Sequence, residues 1–172
     1  MPADDASLEG LGRYALRFVK PGQVIGLGTG RAASAFIRAL GASGIGVRGV
    51  PTSRPAEELG REVGIPIVTL AEVGKIDVDF DGADEVDPRL NLIKGLGGAL
   101  VREKIVAASS RRFVVLVGYE KMVKKLGEHG IIPVEVVPFG VSLVSAKIKT
   151  LGMKPRVRED NGQQFITDNG NL

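Results

Sequence analysis

The chain has 172 residues, 44% hydrophobic and 25% charged, which suits one folded domain or one domain with a small appendage. No apolar run approaches the ~20 residues that span a bilayer, there is no cysteine, and the N-terminus Met1-Pro2-Ala3-Asp4-Asp5 lacks a basic, then apolar, secretion signal. These features exclude disulfides and thiol chemistry and point to a cytoplasmic protein with no membrane partner, while a net charge of +3 among scattered acids and 5% aromatics fits a small anionic ligand better than nucleic acid.

In chain order, Leu8 to Lys20 is expected to be helical and to end at Pro21-Gly22. Gln23 to Leu27 is a short apolar run, read as a buried strand. A glycine-rich turn leads into a helix through Ala33, Phe36, Ile37 and Leu40 that should stop near Gly41. Val47 to Val50 is the next strand, Pro55 to Val63 a helix, Ile67 to Leu70 a third strand, and Ile76 to Phe80 a fourth with Asp77 and Asp79 interleaved. Leu90 to Ile93 reads as extended, Leu100 to Ser109 as helix, and Phe113 to Val117 as a buried strand. Repeated strand–helix–strand units predict an α/β fold, a mostly parallel Rossmann-like sheet with helices on both faces, over residues 1–130.

Residues 131–172 change character and predict a small α+β subdomain. Ile131 to Val137 is expected as a strand and Phe139 to Leu151 as a helix. A hairpin should pair Arg156 to Glu159 with Gln164 to Thr167, because Asn161-Gly162 supplies the positive φ that a tight hairpin turn needs.

Three stretches carry chemistry. Gly26-Leu27-Gly28-Thr29-Gly30-Arg31-Ala32-Ala33 lies where a strand becomes a helix, a place suited to binding an anion on backbone N–H groups. The spacing Gly28-x-Gly30-x-x-Ala33 also fits a dinucleotide fingerprint, but the next strand ends Val50-Pro51-Thr52-Ser53 without the acid that would hold a ribose hydroxyl. Asp81-Gly82-Ala83-Asp84-Glu85 follows a buried strand, where ligands of open α/β sheets gather, although Asp and Gly are also ordinary turn residues. Lys94-Gly95-Leu96-Gly97-Gly98-Ala99 opens another helix and places Glu103 one turn in, where a surface glutamate favoured by the helix dipole is the plain alternative. Together these parts supply what aldose–ketose isomerisation needs: a base for a carbon-bound proton, and cations and N–H groups for the enediolate.

The ordered series resembles ribose-5-phosphate isomerase of the A type along essentially the whole chain. Gly26 to Ala32 looks like that family's phosphate loop, Asp81 to Glu85 its acidic signature, and Lys94 to Ala99 with Arg102-Glu103-Lys104-Ile105 its catalytic stretch. Lys121, Pro133 to Pro138 and Thr167 to Asn171 fall where the family has similar residues. The resemblance implies interconversion of D-ribose 5-phosphate and D-ribulose 5-phosphate, in the non-oxidative branch of the pentose phosphate pathway, with no metal or organic cofactor. It implies Glu103 as the base, Asp81 in ring opening and proton movement between oxygens, and Asp84 and Lys94 on substrate hydroxyls and the enediolate. Substrate contacts are implied for Gly28, Thr29, Gly30, Arg31, Ala32, Asp81, Gly82, Ala83, Asp84, Lys94, Gly95, Leu96, Gly97 and Lys121. It also implies a homodimer or homotetramer, and a ferredoxin-like small subdomain that is incomplete at Leu172. The family's loop usually carries Ser-Thr where this chain has Arg31-Ala32, so Arg31 is expected to replace two hydroxyl donors with a charge-assisted phosphate contact. His129 reads as a solvated loop residue. Phosphosugar-binding sensor domains are the rival class, but a pure sensor has little use for Glu103.

Overall fold

Four short parallel strands organise the larger part of the chain. The computed structural model describes residues 3–172, which divide into two units between Pro133 and Val134. In the first unit the elements are α1 (Asp5–Ala15), β1 (Val24–Leu27), α2 (Arg31–Ser43), β2 (Arg48–Pro51), α3 (Arg54–Glu62), α4 (Leu70–Val73), β3 (Val78–Asp81), β4 (Glu85–Val86), β5 (Leu92–Ile93), α5 (Leu100–Ala108) and β6 (Phe113–Val115). The main sheet has the order β2-β1-β3-β6, all parallel, with Gly26 opposite Asp79 and Asp79 opposite Phe113.

Side chains alternate across that sheet and divide the core in two. Ile25, Leu27, Val78 and Phe80 point to one face, where they meet Phe36, Ile37 and Leu40 of α2, Ala15 of α1 and Leu59 of α3. Phe36 stacks on Phe80 with ring centroids 4.1 Å apart. On the other face Val24, Val50 and Ile76 cluster with Val106 of α5, flanked by Leu70 and Val73 of α4. Asp79 and Asp81 share the strand parity that faces away from Phe80, and both are 0% exposed. Two carboxylates in a buried strand mark this face as more than a core.

Several boundaries differ from the sequence reading for definite reasons. α2 runs past Gly41 to Ser43 and ends on Gly44 at φ 68°, while a Cβ on Gly41 would lie 2.5 Å from Val63 Cβ. Gly41 is therefore a close-approach residue rather than a stop. Ile67 makes only an isolated bridge to Gly49, and the expected third strand gives way to α4, which Thr69 and Glu72 nucleate through a capping box. Phe113 to Val117 yields a three-residue strand that is only partly buried, because it is the sheet's edge. β5 falls within Leu90 to Ile93, which reads as extended, whereas its antiparallel partner β4, two residues long, escaped the sequence reading.

Glu85, 1% exposed, anchors a loop far along the chain, after β6: its carboxylate accepts the backbone N–H groups of Gly127 (2.5 Å) and His129 (2.6 Å). His129 is thus a tethered loop residue with a half-exposed ring, its Nδ1 3.5 Å from Glu85.

Ile131 to Val137, which runs from the end of the first unit into the second, forms no strand. Pro133 removes an N–H donor, and Val136 exchanges backbone hydrogen bonds, in both directions, with Leu172. α6 (Val141–Thr150) follows a turn of 3-10 helix, and β7 (Glu159–Asp160) pairs with β8 (Gln163–Gln164) through Asn161 at φ 51° and Gly162 at φ 77°. Glu135 gathers the Thr167 hydroxyl (2.8 Å) and the Asn171 side-chain amide (2.9 Å), tying the segment of the Pro133–Pro138 motif to that of Thr167–Asn171.

Candidate active site

The carboxyl ends of β1 and β3 and the starts of α2 and α5 surround a cleft of about 250 Å³. Its lining includes Thr29, Gly30, Arg31, Ala32, Gly82, Ala83, Asp84, Lys94, Gly95, Gly97, Glu103 and Lys121, so most of the residues singled out in the sequence converge. Gly28, Leu96 and Asp81 do not line it. Leu8, Leu116, Val117, Gly118 and Glu120 do, and the sequence reading missed them. The rule that ligands gather at strand carboxyl ends, applied to β6 as it was to β3, would have pointed to residues 116–118.

The glycines of the first turn have distinct tasks. A Cβ on Gly26 would lie 2.3 Å from Asp79 Oδ1, and one on Gly28 would lie 2.4 Å from both Asp81 Oδ1 and the Phe80 carbonyl oxygen. Gly26 and Gly28 thus make room for carboxylates on the neighbouring strand. Gly30, at φ 100°, reverses the chain into α2, which no side chain caps. The helix start therefore presents its first-turn N–H groups to an anion in the cleft. Thr29 is committed to the protein: its N–H donates to Asp81 Oδ1 (2.9 Å), and its hydroxyl lies 2.8 Å from both the Thr52 and Ser53 hydroxyls. Where a dinucleotide fold would place its ribose-binding acid, Thr52 and Ser53 instead brace the loop.

Lys94 is the electrostatic centre. Its Nζ donates to Asp81 Oδ2 (2.9 Å) and to the Gly82 carbonyl, and lies 3.1 Å from Glu103 Oε2. Burial pulls the ammonium down, but Asp81 and Glu103 outweigh it and hold Lys94 above its ordinary range. Oδ1 of Asp81 is saturated, since beside the Thr29 N–H it also accepts the Gly82 N–H at 2.7 Å. Glu103, 4% exposed, differs: Oε2 has the ion pair with Lys94 but no aligned hydrogen bond. Burial first, and then the charge on Asp81, push its carboxyl upward, while Lys94 opposes them. A desolvated, under-bonded carboxylate is a stronger base than one in water. Asp84, half-buried, accepts the Leu96 N–H at 2.8 Å and so ties the acidic loop to the second glycine turn, where Gly95 and Gly98 take positive φ.

Arg31 takes another direction. Its exposed guanidinium bonds the Ala3 carbonyl (3.0 Å) and Asp5 (2.9 Å), pinning the start of α1 at the rim of the cleft. Among the described residues, no group of three or more His, Cys, Asp or Glu is arranged to hold a metal ion.

A basic, buried carboxylate on its counter-cation, beside an uncapped helix start at the sheet's ligand edge, is the arrangement of an α/β enzyme that does proton-transfer chemistry on a small anion. The sequence profile of ribose 5-phosphate isomerase A (phosphoriboisomerase A) matches residues 48–172. A curated ribose-5-phosphate isomerase A from Roseiflexus sp. (strain RS-1) is 50% identical over 165 residues, covering 92% of this chain and 71% of that protein. One from Parvibaculum lavamentivorans is 44% identical, covering 100% and 78%. The structure of ribose 5-phosphate isomerase A from Methanocaldococcus jannaschii superposes with a TM-score of 0.92 at 44% identity, over 98% of this chain and 78% of that one. A D-ribose-5-phosphate isomerase in complex with phospho-erythronic acid gives 0.91 at 40% identity, over 98% and 77%. This chain belongs to the ribose 5-phosphate isomerase A family.

Proposed function

We propose that the chain interconverts D-ribose 5-phosphate and D-ribulose 5-phosphate, with Glu103 as the base. The observation that carries this reading is the Glu103 carboxylate, 4% exposed and 3.1 Å from Lys94 on the wall of the cleft. With the phosphate on the α2 start, the open-chain sugar extends toward Lys94 and Glu103. Glu103 takes the proton from C2 of the aldose, and the electron pair moves to O1 as the enediolate forms. Lys94 and the N–H groups of the second glycine turn stabilise that oxygen. A proton passes from O2 to O1, and Glu103 returns its proton to C1, leaving the ketose; atoms and charges balance with no external reductant. Charge on the enediolate is thus met by an ammonium and backbone dipoles, and the scheme calls for neither metal nor organic cofactor.

Asp81 supports the reaction through Lys94 in the resting site, because it is fully buried, off the cleft lining, and bonded to Lys94 and to the Thr29 and Gly82 N–H groups. Asp81 is covered by Lys94 and lies off the lining, whereas Asp84, half-buried, lines the cleft and is open to a sugar hydroxyl. The phospho-erythronic acid bound by a relative supports the scheme, since its planar carboxylate imitates the enediolate. A homodimer or homotetramer working in the cytoplasm belongs to the same reading, supported by the family. Incubation with ribose 5-phosphate, with and without EDTA, tests it: ketose should form equally in both. Binding without turnover would indicate a sensor, and loss of turnover in EDTA would overturn the metal-free scheme.

A further inference from the structure

Asp79 is a fully buried carboxylate beside the groups of the scheme above, which does not use it. It lies on β3 two residues before Asp81, on the same face of the sheet, and is 0% exposed. Neither of its oxygens has a hydrogen-bond partner. Its neighbours across the sheet are Gly26 on β1 and Phe113 on β6, neither of which offers a side-chain donor. The fold has nevertheless kept space for it, since a Cβ on Gly26 would lie 2.3 Å from Oδ1. The charged groups acting on it are Asp81 on its own strand, Lys94 from the turn after β5, and Glu103 from α5. One ammonium therefore serves three acids. An ionised carboxylate without donors in such a place costs several kcal/mol, so the group holds its proton instead.

We propose that Asp79 is a positioning residue of the isomerase site: a neutral carboxylic acid set behind Asp81, Lys94 and Glu103, whose uncharged state leaves Lys94 to the two carboxylates that use it. The proposal rests on the isomerase reading. Burial, then the charge on Asp81, raise this carboxyl to about 8, with Lys94 partly opposing them, so it ionises at mildly alkaline pH. The extra negative charge then competes for Lys94 and opposes the developing enediolate.

The test compares pH–rate profiles of the wild type and Asp79→Asn, which keeps the shape but cannot ionise. The wild type should lose turnover on the order of tenfold through the alkaline limb, the worth of one unit charge several ångströms away in a protein interior. Asp79→Asn should keep neutral-pH turnover within about threefold and show a flattened limb. An alkaline limb unchanged in Asp79→Asn overturns the proposal. So does a folded Asp79→Asn protein that loses its neutral-pH turnover, because the ionised or proton-donating form would then be required. Melting temperature against pH reads the same ionisation without turnover. Native Asp79 keeps its proton above the unfolded carboxyl's range, so its contribution to stability is full below about pH 4 and is lost as the pH rises through about 8. Asp79→Asn should remove that decline, and persistence of the full decline counts against the proposal. A wild type inactive on ribose 5-phosphate would sink the isomerase reading alone, leaving the melting comparison to decide the protonation state.

Discussion

Lys94→Met removes the ammonium between two buried acids while keeping an unbranched side chain of similar length. Asp81 Oδ2 and Glu103 Oε2 lie 2.9 and 3.1 Å from Nζ, and the two residues are 0% and 4% exposed. Breaking a buried pair from one side costs about 3–5 kcal/mol because the surviving charge stays desolvated. The Lys94 side chain is 20% exposed, which places the expectation at the low end, about 3 kcal/mol near pH 8. For a chain of this length that is roughly 6–12 °C in melting temperature. The sign with pH follows from proton binding. Burial already raises the Glu103 carboxyl and Lys94 opposes that shift, so without Lys94 native Glu103 binds its proton more tightly still than in the unfolded chain, and the variant's stability falls as pH rises from the ordinary carboxyl range through its raised native value. Near pH 5, where Glu103 takes up a proton, the deficit should shrink to about 1 kcal/mol. Thermal melts of both proteins at the two pH values give the answer. An equal deficit at both, or none at the higher pH, would refute the view of Lys94 as the counter-ion of a buried acidic pair.

Gly28→Ala should abolish activity and lower stability by about 1–3 kcal/mol, because its Cβ would meet the Phe80 carbonyl oxygen at 2.4 Å, and backbone cannot swing aside. Gly97→Ala, whose nearest neighbour would be Thr29 Cγ2 at 3.6 Å, should melt within about 1 kcal/mol of the wild type; the contrast is read by thermal denaturation. Arg31→Ala should raise the Michaelis constant several-fold with turnover retained, and Asp5→Ala, which removes one of the guanidinium's two partners, should lower it. Steady-state kinetics decide; an unchanged Michaelis constant in Arg31→Ala rules out a phosphate contact.

Much of the site is legible in the sequence because its parts sit at strand-to-helix junctions, which a parallel sheet brings to one edge. That logic places Asp81, Asp84, Lys94 and Glu103 together before any coordinates, and the family resemblance names their chemistry. What periodicity cannot convey is packing across the sheet. Gly26 and Gly28 read as phosphate-loop glycines, yet each clears space for a carboxylate more than fifty residues away in sequence. Asp79 reads as a polar interruption of an apolar strand, and only the register opposite Gly26 shows it buried within reach of the charges on Asp81, Lys94 and Glu103. Local signals mislead in the same way at Gly41, where a glycine inside α2 answers to Val63 rather than to the helix end. At Ile67 to Leu70 a β-rich run yields to the capping box of Thr69 and Glu72, because side-chain bonds to the backbone outweigh propensity in so short a segment.

Single-turnover and steady-state kinetics of Glu103→Gln on ribose 5-phosphate test the central claim most directly. The amide keeps the shape and cannot accept the carbon-bound proton, so turnover should fall by ~10³–10⁴ with the Michaelis constant within a few-fold of the wild type. A variant that retained turnover within about tenfold would show that another group carries the proton.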